Sequence, residues 1–227
     1  MISIIIPTLN EEKNLTRLLS QLKQLKNTIS FEIIVVDGGS QDQTVAVAKN
    51  DAAVYQLQKA NRGAQLKLGV EKSSGEILWF LHSDSRLENG QKDVLERIQT
   101  ALRDSHYSAG FLKLTFDSSD FFYRYLAGTS NLRARYLGLI FGDQGLFTTR
   151  ENYEKVGGFE STPLMEDWQL SRKLWKLGKF YPLSATTITS SRRFRKGKLR
   201  THLKMHKIKL LYLLGMSPEK LAKRYYK

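Results

Sequence analysis

The chain contains no cysteine. Disulfides and thiolate zinc centres are therefore excluded, and the composition fits a reducing compartment. Long apolar runs are also missing. The longest late one, Leu210 to Leu214, is far short of the roughly 18 residues that a membrane-spanning helix needs. The opening Met1–Pro7 has no basic segment and reaches Pro7 too soon for a signal peptide, so it is expected to be a first strand. Neither a Gly-x-x-x-x-Gly-Lys-Ser/Thr loop nor a Gly-x-Gly-x-x-Gly turn follows any apolar run, so a nucleotide would be held some other way. No internal repeat and no low-complexity stretch interrupts the 227 residues, a length that suits one domain with a tail. The expected location is cytoplasmic, with peripheral contact at the inner face of the membrane.

Acidic residues are scarce, and unevenly so. Asp and Glu number 22 against 36 Lys and Arg, for a net charge of +14. From Arg192 onward thirteen basic residues face one acid, Glu219, whereas residues 1–191 are nearly neutral. The boundaries expected from this asymmetry are a domain at 1–190 and a basic helical extension at 191–227. Such a tail calls for an anionic partner: lipid head groups, nucleic acid or a phosphorylated substrate. Its aromatics, Phe194, Tyr212, Tyr225 and Tyr226, are too scattered for a nucleic-acid stacking platform. Arg193, Lys196, Arg200, Lys204 and Lys207 recur at steps of three and four, which predicts one basic stripe on a helix. An anionic membrane surface is the preferred partner, at ~1 kcal/mol per basic residue; the alternative is a solvated helix packed on the main body.

What is present reads as alternation of strands and helices. Ile2–Ile6 is a strand, and Thr8 or Asn10 is expected to cap the helix that follows, with Leu15, Leu18, Leu19, Leu22 and Leu25 at helical spacing. Phe31–Val36 and Val54–Leu57 are the next strands, and Asn61–Gly69 opens a helix. Ile77-Leu78-Trp79-Phe80-Leu81 is an unbroken apolar run, as expected of a strand buried on both faces, and it ends abruptly in His82-Ser83-Asp84. This β-α-β-α-β-α-β order predicts an α/β, mostly parallel sheet with helices on both faces. A helix is expected over Asn89–Arg103, a strand over Tyr107–Phe116 and a packed helix with a basic face from Phe121. In open α/β sheets ligands bind beyond the carboxyl ends of the strands. Glu11, Asp37 and Asp84 all sit at or just after such ends, where carboxylates accept hydrogen bonds from ribose hydroxyls or base N–H groups. Glu166-Asp167-Trp168 opens a helix, whose positive end keeps acids ionised, as a general base requires. Capping and turn roles would also account for each of these acids taken singly.

Pro7-Thr8-Leu9-Asn10-Glu11-Glu12, Val36-Asp37-Gly38-Gly39-Ser40-Gln41-Asp42, the strand ending at Asp84, Gly157-Gly158-Phe159 and Glu166-Asp167 together resemble the family 2 glycosyltransferases, over residues 1 to about 180. Asn61-Arg62-Gly63-Ala64-Gln65, Leu81-His82-Ser83-Asp84, Gly142-Asp143-Gln144-Gly145, Pro163-Leu164-Met165-Glu166-Asp167 and Ser191-Arg192-Arg193-Phe194 resemble a small bacterial subgroup with mostly unassigned acceptors. The resemblance implies the Rossmann-like GT-A fold and an inverting transfer from a nucleoside-diphosphate sugar to an unassigned acceptor hydroxyl; a membrane contact through the basic tail would bring the site to a lipid-linked acceptor. It implies that Pro7, Thr8, Asn10 and Glu11 line the nucleoside pocket, that Asp37 faces the base and that Arg62 lies near the diphosphate. It further implies a divalent cation, Mn or Mg, on Asp84, with Asp167 as catalytic base beside Glu166, and Gln144 and Trp168 shaping the acceptor side. Where many members carry Asp-x-Asp, this chain has His82 in place of the first acid, which makes His82 a candidate helper to Asp84 at the metal. The competing readings are a non-catalytic nucleotide or nucleic-acid binding module and a nucleotidyltransferase.

Overall fold

The computed structural model describes residues 1–25, 28–195 and 197–225. In chain order the elements are β1 (Ile2–Thr8), α1 (Glu12–Lys23), β2 (Phe31–Asp37), α2 (Thr44–Lys49), β3 (Ala53–Gln56), α3 (Arg62–Glu71) and β4 (Ile77–Phe80). These are followed by β5 (Arg86–Leu87), α4 (Val94–Ala101), β6 (Tyr107–Phe116), α5 (Phe121–Leu137), β7 (Phe147–Thr149) and α6 (Arg150–Lys155). The chain finishes with α7 (Glu166–Trp175), β8 (Lys179–Thr189), α8 (Lys198–Leu213) and α9 (Pro218–Tyr225). One sheet runs β3-β2-β1-β4-β7-β6-β8-β5; β7 and β5 are antiparallel to their neighbours and the other pairings are parallel.

The central strands are apolar throughout because both of their faces are covered. Ile2, Ile4 and Ile6 of β1 and Ile77 and Trp79 of β4 join the Leu15, Leu18, Leu19 and Leu22 face of α1 in one core. The alternate residues, Ile5, Leu78 and Phe80, point the other way, to Leu66 and Val70 of α3 and to Leu170 and Leu174 of α7. Successive strand side chains alternate faces, so a two-sided core demands this pattern, and each full burial contributes roughly 1.5–3 kcal/mol. The parallel register sets Thr8 beside Asp37 and Ile5 beside Phe80, which brings the carboxyl ends of β1, β2 and β4 to one rim.

Several expectations are corrected. Neither Thr8 nor Asn10 caps α1: its N-cap is Glu11, with no side-chain cap bond, because Thr8 remains in β1 and the Asn10 side chain is engaged by the β2 loop. The helix expected over Asn89–Arg103 is reduced to α4, with Val94, Leu95 and Ile98 buried. The strands β8 and β5 were not anticipated. β8 contains Pro182, which lacks the N–H of a central strand. Pro182 pairs with Phe111 of β6, while β5 reaches only Thr187 and Ile188, so the proline lies where β8 has no partner on its other side. The basic stripe is shorter than expected. Arg193 lies in the Ser191–Phe194 3-10 turn, outside α8, and Lys196 lies outside the described residues. Phe194 is buried against Tyr123 and Leu126 of α5, which holds the chain in a turn there instead of extending α8 backwards. Arg200, Lys204 and Lys207 do fall on α8. That helix and α9 are seated on the main body, where Ile208, Leu221 and Ala222 pack with Leu139, Leu164, Met165 and Trp168.

Candidate active site

The loops after β1 and β2 are tied together, and Asp37 is the tie. Its carboxylate is wholly buried and accepts from Thr8 Oγ1 at 3.2 Å, from the Gly39 and Ser40 N–H groups at 2.9 Å each, and from Ser40 Oγ. Ser40 Oγ in turn accepts from the Asn10 N–H at 2.8 Å, and Asn10 Oδ1 accepts from the Gln41 N–H at 2.8 Å. Asn10 sits at φ +53, one of two non-glycine residues with positive φ among those described. The other is Met165, at φ +69, where the chain enters α7. Both unusual backbones thus flank the rim, as functional strain often does.

Glu11, at the start of α1, and Asp84, in the turn after β4, both reach the same guanidinium, that of Arg192. The Asp84 contact is 3.4 Å. Arg192 was assigned no role from its sequence, and it comes from beyond β8, 181 positions from Glu11. His82 does not join Asp84 there. Its Nε2 is closed off against Gly142, where an added Cβ would come within 1.9 Å of it, and it has no hydrogen-bond partner among the described residues. Burial, helped by Arg62, holds the His82 pKa below 6.5 against the pull of Asp167, Asp84 and Asp143, so the imidazole is neutral near pH 7.

Glu166 and Asp167 open α7, and Arg62, from the start of α3, binds both of them. Its Nε pairs with Glu166, and its Nη2 lies 3.3 Å from Asp167 Oδ2. Asp167 Oδ2 also accepts the Gly142 N–H at 2.9 Å. Glu166 is fully buried, and the Asp167 side chain keeps 8% exposure. Burial, followed by the neighbouring Asp167, raises the Glu166 pKa to about 7, against the opposing effect of Arg62. Gln144 is wholly buried and accepts from Arg133 at 3.1 Å, so it braces the wall behind the site. Trp168 packs between Phe141 and Tyr212, with ring centroids 6.0 Å from each. Two clefts of about 350 and 540 Å3 lie elsewhere, around Phe31–Ile34 and around Glu76–Ile77, at the amino ends of β2 and β4. Neither touches these carboxylates, and the carboxyl rim is the better candidate because the polar groups converge there.

Gly63 holds the approach to α7 in place. Its N–H donates to Thr162 O at 3.1 Å, and a Cβ there would lie 2.1 Å from Glu160 O and 2.7 Å from Thr162 O. Those neighbours are backbone and cannot rotate away. Gly63→Ala is expected to destabilise by about 1–3 kcal/mol, about 2–12 °C in Tm for a chain of this size. Differential scanning calorimetry checks this, and an unchanged Tm would contradict the close approach.

Comparison with known families decides the affiliation. The model of the family described as "Glycosyl transferase family 2" matches residues 3–155, more than half of the chain. The chain belongs to glycosyl transferase family 2. Among curated relatives, the glycosyltransferase AglE of Haloferax volcanii is 35% identical over 91 residues, 37% of this chain and 30% of that protein. The dolichyl-phosphate beta-glucosyltransferase of Mus musculus is 30% identical over 112 residues, 42% of this chain and 35% of that protein. The chain therefore spans about a third of the length of these relatives. Among solved structures, the mannosyltransferase PcManGT from Pyrobaculum calidifontis, in complex with GDP-Man and Mn2+, superposes with a TM-score of 0.68 at 18% identity, covering 99% of this chain and 68% of that one. Residues 1–349 of TarS of Staphylococcus aureus give 0.66 at 17% identity, covering 99% of this chain and 70% of that one. Likeness at such low identity shows the fold, and the fold is GT-A.

Proposed function

We propose that this family 2 member is an inverting glycosyltransferase that moves a sugar from a nucleoside-diphosphate sugar to a hydroxyl on a lipid-linked acceptor. The observation that carries this reading is Asp167. It is a carboxylate at a helix N-terminus, held by the Gly142 N–H and Arg62 and less deeply buried than Glu166, in the same cluster of interacting side chains as His82 and Asp84. The acceptor oxygen bonds to the anomeric carbon as the bond from that carbon to the diphosphate oxygen breaks. The hydroxyl proton passes to Asp167, and the nucleoside diphosphate departs. One displacement inverts the centre and needs no covalent enzyme intermediate, and a positioned carboxylate supplies ~10²–10⁴-fold. Complexes with GDP-Man and with UDP-GlcNAc among the structural neighbours support the donor class. Relatives named as dolichyl-phosphate and undecaprenyl-phosphate transferases support a lipid-linked acceptor.

The loops carrying Pro7, Thr8, Asn10 and Glu11 would frame the nucleoside. Asp37, with its carboxylate already engaged, would act by holding that frame. Among the described residues no three His, Cys, Asp or Glu side chains cluster as a metal cage. Two hard oxygen donors, from Glu11 and Asp84, nevertheless face one positive centre at Arg192, and that donor chemistry fits Mn2+ or Mg2+. Asp84 would hold such a cation, which offsets the charge of a departing diphosphate. In this scheme His82 is a neutral positioning residue against Gly142.

Thermal-shift measurements with a panel of nucleoside-diphosphate sugars, with and without Mn2+, test the donor reading. A matching donor at about 100 times its dissociation constant adds about 2.7 kcal/mol of stability. Asp84→Asn is expected to lose the Mn2+-dependent part of that shift. Equal shifts in both proteins would remove the cation from Asp84, and release of pyrophosphate in place of a nucleoside diphosphate would point to a nucleotidyltransferase.

A further inference from the structure

The helices α5 and α8 lie side by side, joined at one end by the Lys198–Asp120 ion pair and the Phe122–His202 ring contact. At the other end they bring two cations onto one ring. Arg133 of α5 lies 4.4 Å from the Phe141 centroid, and Lys209 of α8 lies 4.9 Å from it. Among the described residues Arg133 donates to two neutral oxygens, Leu139 O at 3.0 Å and Gln144 Oε1 at 3.1 Å. His202 and His206, with rings 4.3 Å apart, lie alongside, and Asp143 is the acid that offsets both cations. Burial, followed by the neighbouring Arg133, lowers the Lys209 pKa to about 8, and Asp143 opposes that shift only in part. This seat adjoins the chemistry: Phe141 also contacts Trp168, and the next residue, Gly142, donates to Asp167.

The same two helices expose apolar side chains. Ten of the thirteen large apolar residues found exposed among those described lie on α5, on α8 or at the α8 C-cap, so these helices form an apolar surface. Phe121, Tyr125 and Leu132 on α5, and Leu203, Leu210 and Leu213 on α8, recur at helical intervals along one side of each helix. Water does not favour such stripes, and stripes on the two helices that carry Arg133 and Lys209 match an amphiphile with an anionic head.

We propose that Arg133 and Lys209 seat the phosphate of a lipid whose chain lies along these stripes and whose head group carries the hydroxyl presented to Asp167. This rests on the glycosyl-transfer reading above and names its acceptor class. The test measures binding of n-dodecyl phosphate below its micelle concentration, alongside inorganic phosphate and uncharged dodecyl maltoside, by calorimetry and by tryptophan fluorescence. Dodecyl phosphate is expected to bind at least tenfold more tightly than either control. Lys209→Met is expected to remove at least tenfold of that affinity, and Lys209→Arg to retain most of it. Leu210→Ser is expected to weaken dodecyl phosphate and to leave inorganic phosphate unchanged. Equal affinity for inorganic phosphate would leave a free-phosphate site, equal affinity for the maltoside would leave an unspecific apolar surface, and unchanged binding in Lys209→Met would remove the seat; each result overturns the proposal. Arg133 is mostly buried, so Arg133→Met is interpreted only with a circular dichroism spectrum matching that of the parent. Donor binding, measured on the same wild-type sample, separates the two readings. A bound donor without dodecyl phosphate binding sinks the lipid seat alone, and the reverse sinks the donor site.

Discussion

Asp167→Asn is expected to bind a nucleoside-diphosphate sugar as the parent does and to transfer it at least 10²-fold more slowly, within the ~10²–10⁴-fold that a positioned base supplies. The amide keeps the shape of the carboxylate and can still accept the Gly142 N–H that holds Asp167 at 2.9 Å. It cannot take a proton. Glu166 is a poor substitute: it is fully buried, and burial raises its pKa, which favours the protonated form. Release of nucleoside diphosphate under saturating donor gives the rate, and a thermal shift with donor gives the binding. Near-parental turnover would remove Asp167 from the role of base.

The largest stability effect is expected at Arg62. This residue is the cation for two carboxylates, one of them fully buried, and breaking such a pair costs about 3–5 kcal/mol. For a chain of this size Arg62→Met should lower Tm by about 6–20 °C at pH 8. At low pH the loss should shrink, because a buried carboxyl without a partner neutralises itself by binding a proton. The direction follows from the raised pKa of Glu166. Between about 4.5 and 7 the folded state holds a proton that the unfolded chain has released. The resulting stabilisation is fully present below about 4.5 and is lost as pH rises through about 7. Arg62 lowers this pKa, so its removal should extend the decline to higher pH, while Glu166→Gln should flatten the profile. Calorimetric Tm values from pH 5 to pH 9 decide the matter. An equal drop for Arg62→Met at both ends would mean that lost packing, and not charge, accounts for it.

Much of the fold was legible because its signals are local. The runs in β1, β2 and β4 are apolar at successive positions since helices cover both faces, and such runs need no distant information to read. The leucines of α1 recur at helical spacing because one side of that helix faces the sheet. β8 was not read as a strand: Pro182 interrupts a stretch whose Phe, Tyr, Thr and Ile otherwise suit one, and its place is set by pairing with β6 along nearly its whole length. The Glu166-Asp167 pair could be read as helix-opening acids, but its partner could not, since Arg62 stands 104 positions earlier. Arg192 is the clearest case. Its arginine-rich neighbourhood was visible, but nothing nearby in the chain indicates that β8 returns it to the rim beside Glu11 and Asp84.

The amino-acid order alone settled the layered α/β architecture, the family and the acids at the strand ends, since each depends on periodicity or on motifs a few residues long. Only the folded chain decided which charges meet. It placed Asp37 inside a closed loop, set Arg62 between two carboxylates, turned His82 onto Gly142 and gathered Arg133 and Lys209 on one ring. Burial and pairing set the protonation and reach of such groups, and both arise from segments brought together across the sheet and not from neighbours in sequence.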